Sequence, residues 1–367
     1  MKIAIDARII NSGTGRYIER LLHYLEQIDD TNQYLILVRR ADLDYYQPQK
    51  PNFTVIEAEF NNYSFGEQIG LARLLRKLGP DLVHFCMPQQ PLMYTGPAVT
   101  SILDLNLLHI TANDDMNAVE LRIKKAIFGA LLKKVARRSR HILTISNYSK
   151  QDIVRYCHVD PDKITVAYLA ADKFEGEPKP MPAYASKQFI MYVGRAEPYK
   201  NNRRLMQAHQ QLLTKNPDLH LLIVGRQDVL RQADMEWASK QGFKNIDFLG
   251  FVSDPQLAWL YAHCRAYVFP SLMEGFGFPS LEAMNYGAPV ASSFATCLPE
   301  VNGDAAVYFD PENLADMVQV IGNLINDDKL RAELATKGYK QVKKYSWRDM
   351  AEQTLAMYNQ ALQQKTD

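Results

Sequence analysis

The sequence predicts an α/β protein built as two doubly wound parallel-sheet domains in tandem, and three observations carry that prediction. Short apolar runs alternate with helix-length amphipathic segments along the whole chain, the pattern of helices layered on parallel sheets. The alternation breaks once, at DKFEGEPKPMPAYASKQ (172–188), whose prolines and polar residues have the composition of a linker. The chain has 367 residues, which at ~100–200 residues per domain makes two domains.

The strand candidates of the first half are KIAIDA, YLILVRR, FTVIEAE, DLVHF, AVTSILD, HILTIS and ITVAY, with helices over 15–28, 66–78, 119–140 and 149–156. In the second half FIMYVG, LHLLIVG, IDFLG, AYVFP, APVASS and AVYFD read as strands. Helices there fall at 201–215, 229–241, 255–263, 279–286 and 312–325. A last helix begins at Ser346, a residue suited to an N-cap. The expected domains are therefore 1–175 and 185–345, followed by a terminal helix within 346–367.

Composition narrows the class. With 42 Lys and Arg against 41 Asp and Glu, and 47% apolar residues, the chain lacks the basic excess of a nucleic-acid binder. It has ample apolar content for cores that need no disulfides. Cys86, Cys157, Cys264 and Cys297 lie far apart, as free thiols of a reducing compartment do. MKIAIDARII reads as a strand containing Asp6 and Arg8, not as an apolar leader, and no run approaches the ~18 apolar residues of a membrane span. The expected location is cytoplasmic.

Ligands of open parallel sheets sit at the C-terminal ends of strands, so the strand-to-helix loops hold the candidates. In NSGTGRY, Gly13 and Gly15 allow close backbone approach before a helix N-terminus. Ile18 stands where a dinucleotide fingerprint needs a third glycine, and the acidic residues beyond, Asp29 and Asp30, fall in a polar turn. This disfavours a nicotinamide cofactor and leaves a plain glycine turn open. In YVGRAEPYKNN, Gly194 ends a strand, and Arg195 and Lys200 flank a helix start. The two cations suit a diphosphate or are simply solvated.

The most specific segment is PSLMEGFGFPSLEAMNYGAPV (270–290). Glu274 and Glu282 are spaced by seven residues, with Gly275, Phe276, Gly277 and Phe278 between them and Pro279 suited to the first helical position. Glutamates there can accept hydrogen bonds from sugar or ribose hydroxyls while loop N–H groups meet sugar or phosphate oxygens. A helix-start carboxylate is also a stabilising cap, but that explains one glutamate and not the pair.

Together S-G-T-G-R-Y, V-G-R-x4-K-N, E-G-F-G-F-P-S-L-E and L-P-E-V-N-G-D-A-A-V-Y-F-D-P make the chain resemble the retaining glycosyltransferases of GT-B fold. This is the large family that includes bacterial mannosyl- and glucosyltransferases of cell-envelope assembly. The resemblance covers essentially the whole chain. It implies two Rossmann-like domains facing across a cleft, with the last helix crossing back to the N-terminal domain. It further implies a nucleotide-diphosphate sugar donor, GDP- or UDP-linked with a lean to mannose, no metal or other cofactor, and a lipid-linked or oligosaccharide acceptor.

By position, the resemblance implies that Arg195 and Lys200 neutralise the donor diphosphate, Glu282 binds the ribose and Glu274 holds the sugar hydroxyls. Phe276 and Gly277 N–H groups would contact the sugar, Gly15 the diphosphate, and residues near Val252 the base. Asp104 would orient the acceptor, with turn capping as the alternative. The chain departs from the family at Leu103, where a histidine is common, and at Cys297, where a more polar residue is usual; Cys297 is expected to pack. Asp42/Asp44 and Asp160/Asp162 match the D-x-D metal pattern but sit in polar turns. His84 and His109 are candidates to supply an imidazole, with a structural role as the alternative expectation.

Residues 119–141 hold eight Lys and Arg and a single acid, Glu120. On a helical wheel Arg122, Lys125, Lys133, Arg137 and Arg140 fall on one side, and Leu121, Phe128, Leu131, Leu132 and Val135 opposite, with Lys124 on the apolar arc. A packed helix with a solvated basic face is one expectation. Contact of that face with an anionic membrane is compatible with it. Competing functional expectations are a nucleotide-sugar epimerase or phosphorylase of the same architecture, and a sugar-nucleotide-binding protein without turnover.

Overall fold

Each of the thirteen apolar runs read as a strand becomes one in the computed structural model, which describes residues 1–62, 64–110 and 118–363. The described chain divides into two units. The first comprises Met1–Leu108, Arg122–Leu169 and the chain from Ser346; the second comprises Ala170–Tyr345 with the stretch His109–Leu121.

In the first unit the strands are β1 (Lys2–Asp6), β2 (Gln33–Val38), β3 (Phe53–Glu57), β4 (Leu82–Phe85), β5 (Ala98–Ser101), β6 (His141–Thr144) and β7 (Ile164–Val166). They form one parallel sheet in the order β3-β2-β1-β4-β5-β6-β7. The second unit has β8 (Gln188–Val193), β9 (Leu219–Val224), β10 (Ile246–Gly250), β11 (Ala266–Phe269), β12 (Val290–Ser293) and β13 (Ala306–Phe309). Its parallel order is β10-β9-β8-β11-β12-β13. Helices cover both faces of such sheets, so central strands such as β4, β6 and β11 are buried at every residue and appear in the sequence as unbroken apolar runs. Strand order reverses between β1 and β4 in one sheet and between β8 and β11 in the other. These are the switch points where ligands bind in doubly wound folds.

The C-terminal helix Trp347–Gln363 packs in the first unit. The Tyr358 hydroxyl lies 2.7 Å from His84 Nδ1, and the Ala361 carbonyl accepts Arg140 Nη1 at 3.0 Å. Ser346 caps it as expected, accepting the Asp349 N–H at 3.2 Å. His84 is fully buried, with Ser101 Oγ 2.8 Å from its Nε2. It is structural.

The structure departs from the sequence reading in four places. The proline-bearing stretch is not a free linker: Phe174 stacks on Tyr286 with ring centres 5.6 Å apart, and the Lys179 N–H donates to the Pro255 carbonyl at 2.8 Å. Helices Asn106–His109, Leu298–Asn302 and Asp328–Gln341 add to those read from the pattern. The segment 66–78 starts as a wide π-helical turn, Glu67–Leu71, before the α-helix Ala72–Leu78.

The fourth departure is in the helix Ala118–Arg138. Leu121, Leu132 and Val135 are buried as expected, but Val119, Ile123 and Ile127, spaced by four, are 65%, 56% and 64% exposed. Its outer face therefore mixes these aliphatic side chains with Arg122 and Lys124 in the first half and is basic, with Lys134, Arg137 and Arg138, in the second. Several cations are engaged within the fold: Arg138 donates to the Leu92 and Tyr94 carbonyls, and Lys133 lies 4.7 Å from the centre of the Tyr156 ring.

Candidate functional site

The second unit gathers its predicted residues at the β8/β11 switch point. The loop after β8 runs from Gly194 to Asn201, and the loop after β11 from Pro270 to Gly277; they are tied together at three levels. Asn201, in the left-handed region at φ 63°, donates from Nδ2 to the Pro270 carbonyl at 3.0 Å and to the Pro311 carbonyl at 2.8 Å. The Leu272 N–H donates to the Tyr199 carbonyl at 2.8 Å. Lys200 Nζ donates to Glu274 Oε1 at 2.7 Å, with the two side chains 17% and 11% exposed.

Burial opposes the charge on Lys200, but Glu274 and the neighbouring Tyr192 and Tyr199 outweigh it and hold the ammonium above its ordinary pKa. Glu274 is itself fixed through its backbone, since its N–H donates to Thr296 Oγ1 at 3.0 Å and the Cys297 thiol donates to its carbonyl at 3.2 Å. Cys297 is fully buried, and burial, reinforced by Glu274, pushes its thiol well above the ordinary range. It packs, as the sequence suggested.

Arg195 reaches out from the same loop. Its side chain is 68% exposed, and its Nε lies 2.7 Å from Glu197 Oε1. Its backbone is held from below, where its carbonyl accepts the Tyr192 hydroxyl and Asn202 Nδ2, both at 3.1 Å. The Gly194 carbonyl accepts Arg231 Nη2 at 2.8 Å.

Gly277 opens the helix Phe278–Asn285 at φ 93°, and a Cβ there would run into Leu298, so only glycine fits. Pro279 lies in the first turn, and Ser280 Oγ donates to Asn302 Oδ1 at 2.6 Å to anchor it. Glu282, in this helix, is 6% exposed. Its charge reaches the buried Tyr261, whose hydroxyl burial first and Glu282 next hold far above the ordinary value. Phe276 is buried edge-on against Tyr345. Val252 is also buried at 8%; the exposed side chain at the end of β10 is its neighbour Phe251, at 88%.

Gly13, Gly15 and Asp104 belong to the first unit. A Cβ on Gly15 would overlap the Ile9 and Ile10 carbonyls, so this glycine is required by the turn itself; Gly13 has open space around it. Asp104 Oδ1 accepts the Asn106 N–H at 3.0 Å and closes a turn that leads into the short helix Asn106–His109. The D-x-D strings serve turns: Asp160 caps Pro161–Lys163, and Asp42 is part of the turn Arg40–Asp42. Among the described residues no cluster of three or more His, Cys, Asp or Glu could hold a metal ion.

Sequence reasoning missed Tyr192, Asn201, Glu197 and Arg231 as supports of the clamp. Asn201 had a signal in its position beside Lys200 at a helix start. Arg231 had none, because an arginine in a first helical turn looks like a surface residue.

Comparison with known proteins now adds to this geometry. Residues 11–173 match the model of Glycosyltransferase Family 4, and residues 174–341 that of Glycosyl transferases group 1. The chain is 36% identical over 230 residues to O-antigen chain mannosyltransferase B of Escherichia coli, covering 59% of this chain and 60% of that one. It therefore spans less than two thirds of that relative. It is 29% identical over 328 residues to O-antigen chain mannosyltransferase RfbU of Salmonella typhimurium, covering 87% and 89%. Sucrose-phosphate synthase from Thermosynechococcus elongatus shares the fold at TM-score 0.77 and 16% identity, over 98% of both chains. Anabaena HepE in complex with UDP-glucose does so at 0.73 and 18%, over 98% and 99%.

Proposed function

The chain belongs to the glycosyltransferase family of GT-B fold, and from that premise we propose that it moves a hexose from a nucleotide-diphosphate sugar to a glycan or lipid-linked acceptor in polysaccharide synthesis. The observation that carries the reading is the paired-loop clamp at the β8/β11 switch point, where Lys200 and Glu274 meet at 2.7 Å beside the exposed Arg195. Breaking a sugar–diphosphate bond develops charge on the leaving oxygen, and cations fixed before reaction stabilise that charge most in the transition state. Arg195 and Lys200 would meet the diphosphate, Glu274 the sugar hydroxyls and Glu282 the ribose; Phe276 and Gly277 N–H groups would reach the sugar. The base would lie at the end of β10, near Phe251 and Val252.

The donor lean is GDP-mannose, supported by the mannosyltransferase relatives. Transfer with retention would follow a front-face route in which the leaving phosphate assists the acceptor hydroxyl, with Asp104 orienting that hydroxyl and no divalent metal taking part. Arg195→Ala is expected to lower transfer by about 10²–10³-fold with an unchanged melting temperature. Turnover close to wild type, followed by mass spectrometry of the products, overturns the reading.

A specific observation also supports a membrane contact. No helix among the described residues is long and apolar enough to cross a bilayer. The helix Ala118–Arg138, however, pairs exposed Val119, Ile123 and Ile127 with the outward Arg122, Lys124, Lys134 and Arg137. Aliphatic side chains that enter the acyl boundary, beside cations that meet anionic headgroups, are the two terms of interfacial binding. Sedimentation with phosphatidylglycerol vesicles at low salt, lost in Ile123→Ser/Ile127→Ser, is the expected result; no sedimentation of the parent protein excludes the contact.

A further inference from the structure

Both cations assigned to the diphosphate are paired with carboxylates of the chain itself, Lys200 with Glu274 and Arg195 with Glu197. The two pairs differ in how firmly the acid is held. Glu274 is fixed through its backbone by Thr296 and Cys297. Glu197 places Oε1 on Arg195, whereas its Oε2 is buried with no hydrogen-bond partner among the described residues.

Behind Glu197 stands a second guanidinium. Arg231 is 1% exposed, spends Nη2 on the Gly194 carbonyl and leaves Nε and Nη1 without hydrogen-bond partners among the described residues. Burial holds it below its ordinary pKa, against the opposing pull of Tyr192, Asp234, Asp228 and Glu197. Asp234, the next acid, is taken by Arg203 at 2.9 Å. A cavity of about 150 Å³, lined by Glu197, Asn202, Arg203 and Asp234 among others, adjoins the carboxylate. Glu197 therefore has space into which it can turn.

Resting on the reading above, we infer that Glu197 is a positioning residue that stands in for donor phosphate: it holds the Arg195 guanidinium in place and yields it when the diphosphate arrives. A carboxylate with one oxygen unsatisfied is weakly retained. A diphosphate, with more charge and bidentate geometry for the arginine fork, displaces it. The same acid re-pairs with Arg195 as the nucleoside diphosphate leaves, so it competes with product as well as with donor. Removing it leaves Arg195 to the ligand without a competing carboxylate, and the product is held longer.

The test is calorimetric titration of UDP and GDP into wild type, Glu197→Gln, Glu197→Asp, Arg195→Ala and the Glu197→Gln/Arg195→Ala double variant, with steady-state kinetics alongside. Glu197→Gln is expected to tighten the preferred diphosphate about tenfold, ~1.4 kcal/mol, and to lower kcat and donor KM together as release slows. Glu197→Asp, which keeps the charge, is expected to restore most of the wild-type behaviour. The tightening is expected to vanish when Arg195 is absent. Wild type that binds while Glu197→Gln binds equally or more weakly overturns this inference alone, as does tightening that persists without Arg195. Wild type that binds neither nucleotide overturns the functional reading beneath it.

Discussion

The two switch points occupy the same topological position and hold the same kinds of charge, yet they are built to opposite ends. At β1/β4, Arg8 donates from Nε and Nη2 to Asp6, both at 2.8 Å, and from Nη2 to Glu67 at 2.9 Å; Gln89 Nε2 donates to both oxygens of Glu67. Asp6, Arg8, Glu67 and Gln89 are each no more than 3% exposed. Burial opposes the Arg8 charge, but Asp6 and Glu67 overcome it and keep the guanidinium ionised. At β8/β11 Lys200 and Glu274 keep part of their side chains exposed, and Arg195 is largely outside. Topology marks the place in each sheet. What distinguishes a site from a brace is whether the charges there have spent all their bonds on one another.

The contrast can be broken at either end. Arg8→Ala strands two buried carboxylates and is expected to cost ~3–5 kcal/mol of stability, read by urea denaturation, before any question of activity arises. Lys200→Ala is expected to lower the unfolding midpoint less than Arg8→Ala does, since Glu274 keeps some access to water, and to lower transfer by about 10²–10³-fold. If Lys200→Ala unfolds the protein as readily as Arg8→Ala does, the two switch points are braces alike.

Acid sharpens the comparison less steeply, because each unit carries its own sealed imidazole. Burial pulls His84 down to about 3 in the first unit and His209 to about 4 in the second, from an ordinary value near 6.5. Below pH ~6.5 the unfolded chain takes up these protons and the folded chain does not, so stability is full at neutral pH and falls on acidification. The slope approaches ~1.4 kcal/mol per pH unit for each histidine until the folded values are reached. Denaturation series at pH 7, 5.5 and 4.5 check this. A stability that rises as pH falls through this window contradicts it.

The strands were legible because parallel strands buried on both faces leave contiguous apolar runs. Lys200 and Glu274 were legible as candidates because their two loops carry dense local motifs; that they pair with each other was not. The Arg8 brace was not, since Glu67 comes from a segment far along the chain and enters the core only through a wide helical turn that no periodicity announces. The helix Asp328–Gln341 escaped because it buries little beyond Leu334, Gly338 and Gln341, a face too sparse to stand out among its charges. Val119, Ile123 and Ile127 were silent for the reverse reason: aliphatic spacing is read as burial, and here it faces outward.

The return of Trp347–Gln363 to the first unit has a consequence for how the chain comes into being. His84 receives its Tyr358 partner from 274 positions further along, and the helix Gly15–Ile28 packs against this same late segment. On a ribosome that adds ~5–20 residues per second, the first unit emerges early yet waits for its last helix, while the second unit completes in between. The unit begun first is closed only when that helix emerges, and its apolar flank stands uncovered until then.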